Sequence, residues 1–158
     1  MEKDNGQTRW HYRYDGEHRL TEVISQPTGR PVTTRFVWEG FRLLQEVHGD
    51  EPLTYVYSDQ DSYEPLARID GVDAPEIFWF HCQPNGTPER MTDSEGQVRW
   101  EGMNSAWGKL LRESETQVSG SSQNLRMQGQ YLDRETGCTT ICSVIMTRTA
   151  DGLRSRTR

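Results

Sequence analysis

Short clusters of aromatic and β-branched residues recur along the chain: "YRY" from Tyr12, "FVW" from Phe36, "YVY" from Tyr55, "FWF" from Phe78 and "VRW" from Val98. Their starts lie 24, 19, 23 and 20 residues apart. Each cluster alternates or doubles the side chains that suit a pleated, half-buried strand. Turn formers separate them: Asp15-Gly16, Glu39-Gly40, Asp70-Gly71, Asn85-Gly86-Thr87-Pro88 and Glu95-Gly96. Asp-Gly and Asn-Gly steps close tight turns because they tolerate positive φ. Second strands opening on Arg-Leu follow in "RYDGEHRLTEV" and "VWEGFRLLQEV". A period of this length reads as an array of hairpins, none of which can bury a face without its neighbours. Only "NSAWGKLLRESE" holds a few helix formers, interrupted by Gly108, and residues 114–124 read as a polar loop. The pattern predicts an all-β protein of strand-turn-strand repeats.

Composition narrows the picture. With 158 residues and 32% hydrophobic content the chain is one domain, or a piece of a larger one, with a lean core. Five tryptophans supply much of its apolar area. A net charge of −6 leaves no basic face to neutralise phosphates, so nucleic acid is not an expected partner. No apolar run is long enough for a membrane span, and the N-terminal stretch does not read as a secretory leader, so the product is expected in the cytoplasm. Three cysteines do not make a disulfide framework; Cys82 reads as a small, partly buried side chain.

Candidate chemistry is sparse. His11, His18, His48 and His81 show no paired ligand spacing, and His81 and Cys82 would point to opposite faces of a strand. Cys138 and Cys142 stand four apart, a spacing that could hold a metal from a helix. Asp59, Asp61, Glu64, Asp70, Asp73 and Glu76 lie in turn-rich sequence and read as solvated turn acids rather than as the carboxylate pair of a glycosidase. No nucleophile motif or phosphate loop is present. The expectation is therefore no catalytic, cofactor-binding or metal residue. An alternative reading is a carbohydrate- or protein-binding β module at the cell surface, in which exposed Trp and Tyr stack on sugar rings.

The segment after Gly137 differs. All 15 aromatic residues precede it, and the tail carries Arg148, Arg154, Arg156 and Arg158 against Asp151, a net +3 that leaves −9 for the rest.

Three stretches resemble the Rhs family, the bacterial relatives of YD-repeat proteins. "RYDGEHRLTEV" resembles one YD repeat through Tyr14-Asp15, Gly16, Arg19 and Leu20. "FHCQPNGTPERMTDSEGQVRWEGMNSAWGKLLRE" is similar to the family's core segment through Gly86-Thr87-Pro88, Thr92-Asp93, Gly96, Trp100 and Trp107-Gly108. "QNLRMQGQYLDRETG" resembles the start of the Rhs-associated core through Arg126, Gln128, Gly129, Tyr131, Asp133 and Gly137. The resemblance implies YD-like β-hairpin repeats over 1–75, the Rhs conserved region and the start of the core over 76–137, and a hollow β-shell or spiral sheet as the parent architecture. It also implies a role in enclosing a toxin delivered to competing bacteria, often by contact-dependent or type VI secretion. The partners would be other β-repeat segments or a toxin domain, with saccharide as the alternative and full-length relatives exported or surface-associated.

In that family the glycine is followed by a tyrosine-rich motif ending in two Asp-Pro steps. Codons permitted for 138–158, read with one extra nucleotide after Gly137, give L-H-Y-N-L-F-R-Y-Y-D-P-D-C-G-R-F-T-Q-Q-D-P, which restores it. Residues 138–158 are therefore expected to be an out-of-frame, irregular tail on a vestigial fragment. Relatives cut their own chain near the end of the core, and the aspartates the resemblance assigns to that step fall in those untranslated Asp-Pro motifs. Self-cleavage is expected to be absent, with Asp133 a turn residue.

Overall fold

The structure, a computed structural model, describes residues 2–27, 29–105, 110–115 and 122–134, together with the backbone of Cys138–Ile141, Val144–Thr147 and Arg154–Ser155. Eleven strands follow one another as an antiparallel meander in which every strand pairs with its sequence neighbours. They are β1 (Glu2–Asp4), β2 (Arg9–Tyr14), β3 (Leu20–Gln26), β4 (Val32–Glu39), β5 (Arg42–His48) and β6 (Glu51–Tyr57), then β7 (Pro65–Asp70), β8 (Glu76–Cys82), β9 (Pro88–Thr92), β10 (Val98–Asn104) and β11 (Leu110–Glu115). β7 and β8 continue the same sheet through pairs such as Ala67↔Trp79.

The aromatic clusters become the first strands of five hairpins. Their outer members face inward, as alternation requires: Tyr12 and Tyr14, Phe36 and Trp38, Tyr55 and Tyr57, then Phe78 and Phe80 with Cys82. The middle residues Val37, Val56 and Trp79 face out. Inward residues of all five hairpins join one apolar core.

Every hairpin carries a β-bulge at the same place. The partners Arg13↔Glu22 and Tyr14↔Leu20 leave Thr21 unpaired, and the same skip falls at Leu44, Leu66, Glu89 and Leu111. An extra residue in one strand inverts the in/out phase beyond it. Leu20, Leu43, Pro65, Pro88 and Leu110 therefore face inward before the bulge, and Val23, Glu46, Arg68, Met91 and Glu113 face inward after it. Both rows repeat at intervals of 23, 22, 23 and 22 residues, a stricter period than the aromatic clusters themselves show.

The last inward residue of each first strand ties its hairpin to the one before. Trp38 Nε1 donates to the Leu20 carbonyl (2.7 Å), Tyr57 Oη to Leu43 (2.8 Å), Cys82 Sγ to Pro65 (3.7 Å) and Asn104 Nδ2 to Pro88 (3.0 Å). Tertiary order thus passes from unit to unit, as in other stacked-repeat folds.

The turns use carboxylates as clasps. Asp15 Oδ1 accepts from the N–H groups of Glu17 and Arg19, and its Oδ2 from Arg19 Nε; Asp93 does the same for Glu95, Gln97 and Arg99. The positive φ expected at Gly16 is found two residues later, at His18 (62°), because the turn closes through His18 N–H to the Asp15 carbonyl. Gly96 (79°) fills that position in the Asp93 turn.

A second sheet follows: β12 (Tyr131–Asp133), β13 (Cys138–Ile141), β14 (Val144–Thr147) and β15 (Arg154–Ser155), in that order. The last three are short strands within the tail expected to be irregular. The rest of that tail, including Cys142, lies outside the described residues.

Candidate functional site

The inward face of the sheet is covered by residues 122–134. This strap folds back on itself through a bridge between Leu125 and Tyr131, a 3₁₀ turn at Met127–Gly129 and a bond from the Leu132 N–H to the Asn124 carbonyl (2.8 Å). Gly129 permits the closest approach. Its φ is +75°, and an added Cβ would stand 2.6 Å from the Phe41 carbonyl oxygen.

Beneath the strap lies Glu46, 0% exposed. Its Oε1 accepts from Tyr55 Oη; its Oε2 accepts from Tyr131 Oη (2.7 Å) and meets His48 Nε2 at 3.2 Å. Burial pushes the carboxyl up, but these donors together with the His48 charge outweigh it and hold Glu46 below its ordinary value. The bond to Glu46 raises His48, against the opposing effect of burial. Both tyrosines are driven well above their usual range, by burial first and by the Glu46 charge next. The network continues along the strap: Asn124 Nδ2 donates to Tyr131 Oη (3.0 Å), and Arg134 Nε to Asn124 Oδ1 (2.6 Å). Arg134 also grips Glu113, which accepts from Trp100 Nε1 at 3.1 Å. Phe36 meets the Tyr131 ring edge-on at 5.2 Å. Two charged members of the post-bulge row, Glu46 and Glu113, thus anchor the C-terminal limb of the strap, through Tyr131 and Arg134, while Arg68 pairs with Asp70 on its own strand.

The carboxylates singled out from sequence do not converge. Asp59, Asp61, Glu64, Asp73 and Glu76 are exposed, and Asp59 Oδ1 caps the Asp61 N–H. Asp70 alone is drawn inward, to Arg68. Asp61 lines a depression of ≈ 450 Å³ with Glu39, Gly40, Phe41, Arg42, Gln60 and Tyr63. His81 Nε2 lies 3.0 Å from Thr92 Oγ1, and His81 is exposed while Cys82 packs on the core. Among the described residues no group of three or more His, Cys, Asp or Glu stands close enough to hold a metal. Of the tryptophans, Trp10 and Trp100 are buried, Trp38 is half-buried and Trp79 is 44% exposed; Trp107 lies outside the described residues. Asp133 ends β12 and is half-buried.

These features define a class: an open antiparallel array of bulged hairpins, each bonded to the unit before it and sealed on its inner face by its own strap. The family model described as RHS protein matches residues 77–114, and the chain belongs to the Rhs family. Double-stranded DNA deaminase toxin A of Burkholderia cenocepacia (strain H111) is 34% identical to it over 171 aligned positions, and toxin protein Tse5 of Pseudomonas aeruginosa 28% over 156. Each alignment covers 80% of this chain and 12% of the relative, so the chain spans a small part of those proteins. Among solved structures, the TcdB2–TccC3 complex matches 92% of this chain with a TM-score of 0.63 at 18% identity, over 8% of its own length. The Tc holotoxin pore of Photorhabdus luminescens matches 95%, with a TM-score of 0.57 at 15% identity, over 8% of its own length. At such identities the likeness is one of fold.

Proposed function

We propose that this chain is a wall segment of an Rhs toxin shell, working by enclosure and taking no part in catalysis. The observation that carries the reading is the coupling between hairpins: a bulge in each unit and a donor from each to the preceding carbonyl. Repeated bulges add twist and curvature at a fixed interval, and the coupling extends a curved wall by any number of units. The toxin names of two relatives support a cargo, and the likeness to Tc complexes supports the wall. Glu46, the most deeply buried acid among the described residues, has both oxygens engaged by three side chains, which suits an anchor rather than an acid–base group. Within this reading the change of composition after Gly137 marks a shifted frame, and a single-base change there in the gene would restore the family motif.

The test is a transplant. Residues 1–137 replace the matching segment of the Burkholderia cenocepacia relative, and protease protection of the C-terminal toxin region is measured. Protection retained, with the producing cells growing normally, is the expected result. A toxin region digested as fast as in an unfolded control would defeat the proposal.

A further inference from the structure

Two arginines of the inner face are buried almost alike: Arg68 is 1% exposed and Arg126 2%. Arg68 shows what the paired edge of such a buried guanidinium does when an acid meets it. Its Nε and Nη2, the two N–H groups that lie parallel on one edge, hold Asp70 Oδ1 and Oδ2 at 2.7 and 2.8 Å. Arg126 engages only its Nη1, with the carbonyls of Leu125 (2.7 Å) and Gln123 (3.2 Å). The same parallel pair, Nε and Nη2, is buried and meets no acceptor.

Charge sharpens the contrast. Burial and the neighbouring Arg134 push Arg126 down to about 10, which leaves it cationic at neutral pH. Arg134 holds both oxygens of Glu113, whose charge offsets part of this shift without reaching Arg126 by a hydrogen bond. The Trp100 ring lies 6.0 Å from the Arg126 Cζ. Beside it Gln123, 0% exposed, carries an Oε1 that meets no donor. A complementary group must thus offer two coplanar acceptors and, a short distance away, one N–H.

We infer that the inner edge of Arg126 is a receptor for the carboxylate of an acidic residue on another stretch of polypeptide, whose backbone N–H serves Gln123 Oε1. Chloride supplies one acceptor and no donor; a free carboxylate supplies the acceptor pair alone; an acidic peptide residue supplies all three.

The whole chain is titrated with sodium formate against sodium chloride at equal ionic strength, following the thermal midpoint and the tryptophan emission that Trp100 contributes. N-acetyl-aspartate N-methylamide is then compared with its asparagine counterpart. Formate is expected to raise the midpoint saturably where chloride does not, and the aspartate compound to do so at a concentration at least about tenfold lower. The asparagine compound is expected to have no effect. Arg126→Lys keeps the charge but loses the paired edge, and is expected to abolish both responses. Formate and chloride curves that superimpose overturn the inference, with no variant required. So does an Arg126→Lys protein that responds like the wild type. A response to formate without one to the aspartate compound assigns the edge to free small anions and overturns the polypeptide source.

Discussion

Glu46 illustrates what one buried charge can be made to do. A carboxylate removed from water loses far more than a neutral group, and it is tolerated only when its lone pairs are met. Here three donors meet them, from β5, β6 and the strap, so the acid joins pieces of chain that are distant in sequence. Tyr131→Phe removes one donor and is expected to cost about 1–2 kcal/mol by urea denaturation. Glu46→Gln turns an NH₂ toward donors that expect an acceptor, and about 2–4 kcal/mol is expected. Because the two share one bond, Tyr131→Phe made in the Glu46→Gln background should cost clearly less than it does alone; full additivity would mean the bond contributes nothing. The pair with His48 also sets a pH dependence. His48 is raised on folding, so its contribution is complete below the ordinary value of 6.5 and is lost as pH rises through the folded value. Glu46 is lowered, so its contribution is complete above 4.5 and is lost as pH falls through the folded value. Between those two ordinary values both are in force. Stability should decline on the alkaline side of that window, and His48→Gln, which keeps a donor but does not titrate, should remove the decline. An alkaline limb identical in the two proteins would refute the assignment.

At the scale of the hairpin, the bulge separates what the sequence announces from what it conceals. First strands are legible because the aromatic pairs Tyr12/Tyr14, Phe36/Trp38 and Tyr55/Tyr57 keep a strict period of two. Second strands are not. Counting alternate residues from Leu43 in "RLLQEVH" puts Gln45 and Val47 inside and Glu46 outside; the unpaired Leu44 reverses this. Nothing local in the sequence marks that skip, so Glu46, Arg68 and Glu113 pass for surface charges. The strap is concealed for a different reason: Tyr131 and Glu46 are 85 residues apart, and no periodicity links them. The turns are nearer to legible, since an Asp with an Arg four to six residues on makes the clasp in both the Asp15 and Asp93 turns. Two substitutions probe the element. Tyr57→Phe removes one rung between hairpins without changing ring volume and should cost about 1 kcal/mol. Its hydrogen-exchange signature should be faster opening of β5 through β7 and little change at β1, a local pattern that uniform acceleration would contradict. Gly129→Ala must place a Cβ against the Phe41 carbonyl at positive φ, with an expected cost of about 2–4 kcal/mol. If the strap is the lid of this core, that loss should be accompanied by red-shifted emission from newly wetted tryptophans.

At the scale of the molecule, the sheet is a strip with two ends. Among the described strands, β1 pairs only with β2 and β11 only with β10, so each end presents an edge that further strands can extend. The inner face is closed by the strap, whereas the outer face carries Val37, Val56, Leu66, Trp79, Met103 and Leu111 exposed to solvent. Two of these, Met103 and Leu111, lie on β10 and β11, and Leu111 is itself a bulge residue, 58% exposed at the very strand that ends the array. An edge with apolar flanks favours pairing, while the charge of −9 carried by residues 1–137 opposes it at long range and is screened by salt. Self-association should therefore grow with both protein concentration and ionic strength, which is the reverse of what association through opposite charges would give. Leu111→Lys places a cation at the β11 edge without touching the inward row, and sedimentation equilibrium should show association weakened by at least about tenfold, ~1.4 kcal/mol, with the thermal midpoint little changed. A variant that associates as strongly as the wild type would move the contact elsewhere on the strip, and a wild type that stays monomeric at high salt would show that its ends are already closed.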